Sequence, residues 1–183
     1  MFELETARLR LIPLDGESLR LSLENPRLLE RHLGLQPGNY TLEGDLRDAV
    51  QQMLAGVLKD PKNWLWYTHW QIIVKALGPI IGGICFKGPA KQDGQVEIGY
   101  GIDDEHQGYG YMTEALQVLL AWAQAQPGVL AVIAETEKEN AASHRILEKL
   151  GFVRDRETEE AFWWSSSPAS PGDSHDSTAL YFP

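Results

Sequence analysis

The sequence predicts an α+β fold, and three observations carry that expectation. Between residues 64 and 74 the even positions hold Trp64, Trp66, Trp70, Ile72 and Val74, the period-two pattern of a strand with one buried face. Between 43 and 59, Leu46, Val50, Met53, Leu54 and Val57 recur at helical spacing. Over 96–123 a strand pattern passes through a glycine-containing turn into a helix that carries Leu116, Leu119, Leu120 and Ala123 on one stripe.

The other elements follow in chain order. Leu9, Leu11 and Pro13 alternate with Arg8, Arg10 and Ile12, which predicts a first strand over 7–14. Asp15 or Gly16 starts a helical stretch with Leu19, Leu23 and, beyond Pro26, Leu28 and Leu29. Gly34, Pro37, Gly38 and Asn39 form a loop before the helix at 43–59. After the strand at 64–74, the Gly78-Pro79 pair marks a turn, 80–86 a strand, 91–94 a second turn and 96–102 a fourth strand. The helix that follows ends at Pro127 and Gly128, and 130–136 reads as a strand. Asn140 caps a helix through Leu150, which Gly151 terminates with Phe152 beyond it. Closing strands are expected at 152–156, 161–164 and 178–182. The polar segment between the last two is expected to be a mobile loop that orders when an acceptor binds. A length of 183 residues suits one domain, 1–183, with a single sizeable core and no internal linker.

Composition narrows the function classes. Hydrophobic residues at 43% and charged residues at 23% are ordinary for a globular chain and exclude a disordered one. No apolar stretch reaches the length of a membrane span, and the N-terminus lacks the basic-then-apolar pattern of a signal peptide, so a cytoplasmic protein without membrane attachment is expected. The lone Cys85 excludes an internal disulfide and reads as a packed residue in the apolar run 80–86. The five histidines show no paired ligand spacing, which argues against a structural zinc site. A formal charge of −10 repels nucleic acid and attracts amine-bearing substrates.

Gly108 and Gly110, two residues apart at the mouth of a helix, let successive backbone N–H groups turn inward at the positive end of a helix dipole. Such a cradle accepts a pyrophosphate, although a tight turn with nothing bound fits the glycines equally well. A dinucleotide fingerprint is excluded because Thr113 stands at the third glycine position, and a Walker A loop because no Gly-Lys-Ser/Thr follows.

The surroundings of those glycines carry a resemblance. The run 96–103, leading into Gln107-Gly108-Tyr109-Gly110-Tyr111, resembles motif A of the GNAT acetyltransferase superfamily. Asn140-Ala141-Ala142-Ser143, continuing to Leu147-Glu148-Lys149-Leu150-Gly151-Phe152, resembles its motif B. The opening Glu5-Thr6-Ala7-Arg8-Leu9-Arg10-Leu11 and the ending Ala179-Leu180-Tyr181 are similar to the branch of ribosomal-protein N-terminal acetyltransferases. The resemblance implies a central mixed, mostly antiparallel sheet of about seven strands, splayed between the fourth and fifth and flanked by helices. It implies acetyl-CoA as co-substrate, no metal, and an amine acceptor, either a protein N-terminus or a small molecule, in a monomer or homodimer. The rival from another class is a non-catalytic acyl-CoA sensor or structural module.

Carried onto this chain, the family pattern places the cofactor against Gln107, Gly108, Tyr109, Gly110, Tyr111, Met112 and Thr113, against Tyr100, Gly101 and Ile102, and against Asn140 and Ser143. Two departures are visible. Met112 stands where the loop usually ends in a small residue, so its side chain must point away from the pyrophosphate. Leu147 stands where many members place a tyrosine that protonates the leaving thiolate, which leaves the general acid open. An ammonium has no lone pair for attack, so transfer needs a proton acceptor, and Glu97 on the fourth strand is the candidate, with a solvated strand carboxylate as the alternative. Tyr100 and Tyr109 are candidate proton carriers or an aromatic wall. The acceptor is expected between the loop at 31–42, with Arg31, His32 and Tyr40, and the late loop at 164–177. The tryptophans at 64, 66 and 70 read as core rather than as a substrate cage.

Overall fold

The computed structural model describes residues 2–76 and 78–166. These form one sheet of eight strands in the order β1-β2-β3-β4-β5-β6-β8-β7. The strands are β1 (Leu4–Glu5), β2 (Leu9–Pro13), β3 (His69–Val74), β4 (Ile80–Phe86), β5 (Gln95–Ile102), β6 (Ala131–Glu137), β7 (Val153–Glu157) and β8 (Ala161–Ser166). The helices are α1 (Gly16–Glu24), α2 (Pro26–His32), α3 (Gly44–Lys59), α4 (Tyr111–Gln124) and α5 (Ala141–Lys149).

Every neighbouring pair is antiparallel except β5 and β6. That parallel pair is joined only from Gln95 to Ile98 against Ala131 to Ala134. Beyond it, β5 stays bonded to β4 as far as Ile102, while β6 stays bonded to β8 as far as Glu137. The sheet therefore opens between its two halves, which is the splay expected at the fourth and fifth predicted strands.

Helices cover both faces of the sheet. Leu116, Leu119, Leu120 and Ala123 of α4 join Leu9, Leu11, Trp70, Ile72, Ile84, Val96, Ile98 and Val132 in one core. On the other face Leu19, Leu29, Val50 and Val57 from α1 to α3 join Ile12, Leu14, Ile73 and Ile80. This double cover corrects the reading of 64–74. Residues Trp64–Trp66 form a 3-10 turn, and the strand begins only at His69, buried on both faces. The polar His69 and Gln71 at odd positions imitate a solvated face, but α1 to α3 cover that side of the sheet. The tryptophans are core residues as expected: the Trp66 and Trp70 rings lie 4.9 and 5.2 Å from that of Trp122 on α4, and Trp64 packs against the second core.

Smaller differences have local causes. The two-residue β1 was not expected, because a strand so short carries no readable period. Pro26 divides the first helical stretch, and Asn25 serves both halves: its N–H donates to the Leu21 carbonyl at the end of α1, and its Oδ1 accepts from the Arg27 N–H at the start of α2. The expected strand at 178–182 and most of the expected mobile loop lie outside the described residues.

Candidate active site

A cleft of about 400 Å³ opens where β5 and β6 part. Its walls come from the end of β5, the loop between β5 and α4, the first turn of α4 and one face of α5 along its length. Tyr100, Gly101 and Ile102 contribute the β5 wall. The Tyr100 hydroxyl donates to the Ser143 carbonyl at 3.5 Å across the cleft. Burial raises the phenol pKa, against the opposing effect of Ser143, so the group keeps its proton at neutral pH.

The loop supplies Gln107, Gly108 and Gly110 to the lining, and α4 supplies Tyr111, Met112 and Thr113. Gly108 and Gly110 have φ of 80° and 79°, the left-handed region that a residue with a Cβ enters at a cost. Gly110 is the N-cap of α4 and brings no capping side chain, and the first helical bond runs from the Glu114 N–H to the Gly110 carbonyl. The N–H groups of Tyr111, Met112 and Thr113 thus have no helical partner, and all three residues border the cleft at the positive end of the helix. The Met112 side chain is 4% exposed and belongs to the core, so it leaves the cradle clear as the sequence required.

An unforeseen brace holds this loop from the edge of the sheet. Arg8 Nη1 donates to the Tyr109 carbonyl at 3.0 Å, Arg8 Nε donates to Glu114 Oε2 at 2.7 Å, and the guanidinium lies 4.7 Å from the centre of the Tyr111 ring. Thr6 Oγ1 donates to the other Glu114 oxygen at 2.5 Å. Burial of the Glu114 carboxyl opposes these bonds, but they outweigh it and lower its pKa. The signal was the run Thr6-Ala7-Arg8, which sequence reading used only as part of a resemblance.

On α5, Asn140 Oδ1 accepts from the Ser143 N–H at 3.0 Å, the capping bond its position predicted, and both residues line the cleft. Arg145 and Lys149 line it as well and were not foreseen. Their signal was available: Ala142, Arg145, Ile146 and Lys149 follow the spacing of one helical face, and all four border the cleft. Two cations beside an open helix N-terminus suit a ligand with several phosphates better than backbone groups alone. The double substitution Arg145→Ala with Lys149→Ala should weaken CoA binding by roughly tenfold or more, taking about 1.5–3 kcal/mol for a hydrogen bond to a charged group, and should flatten its salt dependence. Calorimetry at two ionic strengths checks this.

Two of the sequence-chosen residues do not line the cleft. Tyr109 is 61% exposed, with its ring 5.7 Å from that of Tyr111, so only its peptide, held by Arg8, belongs to the loop's architecture. Glu97 faces the opposite side of β5 from Val96 and Ile98, whose side chains enter the α4 core. It is not a solvated strand carboxylate, since its side chain is 10% exposed and ion-paired with Lys87. Leu147 is fully buried, as befits a packing residue. Cys85, on that same face, is half-buried, and burial raises the thiol pKa, in keeping with a packed residue. Ligand atoms of Asp103, Glu105 and His106 lie within 4.8 Å of one another at the turn before the loop; Glu105 is exposed and accepts from Asn39, the ordinary state of a surface turn.

A sheet that parts between β5 and β6, with an uncapped helix start at the opening, has counterparts among known proteins. A family model described as an acetyltransferase (GNAT) domain matches residues 8–153. An uncharacterized N-acetyltransferase of Bacillus subtilis (strain 168), YjdG, is 30% identical over 164 residues, which cover 90% of this chain and 97% of that protein. The chain therefore belongs to the GNAT acetyltransferase family. Among solved structures, a ribosomal-protein-alanine acetyltransferase from Vibrio fischeri shares the fold with a TM-score of 0.68 at 19% identity, over 92% of this chain and 98% of that one. RimL, a ribosomal-protein alpha-N-acetyltransferase solved in complex with coenzyme A, shares it with a TM-score of 0.64 at 16% identity, over 91% and 98%. No helix among the described residues is long and apolar enough to cross a membrane.

Proposed function

We propose that this acetyltransferase takes the acetyl group from acetyl-CoA and passes it to a primary amine by direct attack in a ternary complex. The observation that carries the reading is the coincidence of three features in one cleft: the uncapped start of α4, the two cations of α5, and the break between β5 and β6. The pyrophosphate lies against the N–H groups from Gly108 to Thr113, with Arg145 and Lys149 taking the remaining phosphate charge. The pantetheine arm enters the gap beside Tyr100 to Ile102, where β5 has no strand partner on that side among the described residues and its main-chain groups can pair with the arm's amides. Asn140 and Ser143 border the arm from α5.

The amine nitrogen forms a C–N bond to the thioester carbon, the C–S bond breaks, and the thiolate takes a proton. Glu97 accepts the amine's proton, directly or through water. Tyr100 is the candidate for protonating the thiolate, because its hydroxyl stays protonated within the cleft. The acceptor is a protein N-terminus, as the RimL name states for that protein, or a small amine. The test is release of free thiol from acetyl-CoA across a panel of peptides and small amines, with the product mass confirmed. CoA binding without thiol release on any amine would replace this reading with a sensor or structural module.

A further inference from the structure

The brace between β2 and the loop before α4 has two arms of different kinds. One is an ion pair: Arg8 Nε and Nη2 lie 2.7 and 2.6 Å from Glu114 Oε2, and Glu114 Oε1 accepts from the Arg8 N–H at 3.1 Å. That arm ties the strand to the first turn of α4. The other arm runs from Arg8 Nη1 to the Tyr109 carbonyl at 3.0 Å. Neither Arg8 nor Tyr109 borders the donor cleft, whereas Gly110, the next residue, does. The guanidinium therefore grips the loop from behind, with Nη2 3.6 Å from where a Gly110 Cβ would stand.

Peptide geometry turns the second arm into an orientation. A trans peptide is planar, and its carbonyl and N–H point in opposite directions. With the Tyr109 carbonyl tied to Arg8, the Gly110 N–H of the same plane points away from the guanidinium. That N–H makes no hydrogen bond to the described residues. Gly110 is permissive in φ, so no Cβ opposes the plane turning over. Turned over, it would offer a phosphate the negative end of a carbonyl in place of a donor.

We infer that Arg8 is a positioning residue of the donor site: by holding the Tyr109 carbonyl it keeps the Gly110 N–H turned to the pyrophosphate of acetyl-CoA. The inference rests on the acetyl-CoA reading and deepens it. Arg8 acts through the peptide and not as a free cation, because Glu114 matches its charge and it lies outside the cleft that Arg145 and Lys149 border. The bond to the carbonyl also polarises the amide, which makes its N–H a stronger donor.

Two donors separate this role from a merely structural one. S-acetyl-pantetheine carries the thioester and the arm but no pyrophosphate. With a verified acceptor, Arg8→Ala should raise the KM for acetyl-CoA and weaken CoA binding about 10- to 100-fold, with kcat kept, while kcat/KM for S-acetyl-pantetheine matches wild type. A brace that only fixes β2 to α4 lowers both donors alike or neither, and either result overturns the inference. The loss of CoA affinity should persist at high salt; a loss that salt abolishes marks plain charge attraction and overturns it as well. Arg10→Ala cuts an ion pair of 2.9 Å with Glu3 on the same strand and should keep wild-type CoA affinity; an equal loss there overturns the inference. Proton–nitrogen NMR of the wild-type protein should show the Gly110 amide proton moving downfield with CoA and not with pantetheine, and an unmoved signal overturns the inference without any variant having to fold. Wild-type protein that binds no CoA ends the underlying reading and this inference together, whereas wild-type CoA affinity in a folded Arg8→Ala ends this inference alone.

Discussion

Replacing Gly110 with valine should abolish CoA binding while leaving the protein folded. Gly110 sits at φ 79° as the N-cap of α4, and a β-branched residue is a steric outlier there. A Cβ at this position would stand 3.6 Å from Arg8 Nη2, which is ordinary contact, so the conflict lies in the backbone and not in crowding. The loop relieves it by rotating the peptides on either side of residue 110, and those peptides carry the N–H groups aimed into the cleft. The core is spared because residue 110 is exposed, while the apolar stripe of α4 remains buried from Met112 onward. Loss of several N–H contacts to a pyrophosphate should weaken binding at least about 100-fold, a difference of roughly 2.7 kcal/mol. Gly110→Ala, with a lighter penalty in the left-handed region, should fall between valine and wild type. Calorimetry with CoA, beside circular dichroism to verify folding, decides: unchanged affinity in a folded valine variant removes the phosphate from this loop.

The parts of this site that were legible in the sequence are those set by local backbone chemistry. Gly108 and Gly110 could be read as a cradle because only glycine tolerates two such φ values so close together. Asn140 could be read as a cap, and the bond from its side chain to Ser143 N–H is the one a capping asparagine makes. Gly151 at φ 79°, with the Phe152 N–H bonded back to the Leu147 carbonyl, closes α5 as the pair predicted. What escaped depends on contacts far apart in the chain. Arg8 reaches the loop 101 residues later because β2, toward the sheet's edge, lies beneath the start of α4, and no period within 7–14 reveals that. His69 and Gln71 looked like a wet face because alternation reports polarity and not cover, and the cover comes from helices already passed in the sequence. Arg145 and Lys149 were visible at helical spacing, but which face of α5 meets the cleft follows from Leu147 entering the core.

Glu97→Gln should leave acetyl-CoA affinity near wild type while turnover falls by about 10²- to 10⁴-fold. Glutamine keeps the size and strand pairing of Glu97 but cannot accept the amine's proton. The partner left behind, Lys87, is 56% exposed and remains solvated, so the substitution should shift the thermal midpoint little, which separates a chemical defect from a structural one. The pH dependence has a definite sign. Below the acceptor's own pKa, near 8 for an α-amine, nearly all acceptor arrives as ammonium, and the base is most needed. As pH rises through that value, solvent supplies free amine, and the defect of Glu97→Gln should shrink. With a lysine-type acceptor, whose pKa is near 10.4, the recovery should move up by about two pH units. A Glu97 that only pairs with Lys87 to hold β4 against β5 would instead lower stability, or leave the rate equal at every pH. The deciding measurement is the pH-rate profile of Glu97→Gln with one acceptor of each kind. Turnover equal to wild type at neutral pH would take the proton-accepting role from Glu97 and leave the donor cleft between α4 and α5 as it stands.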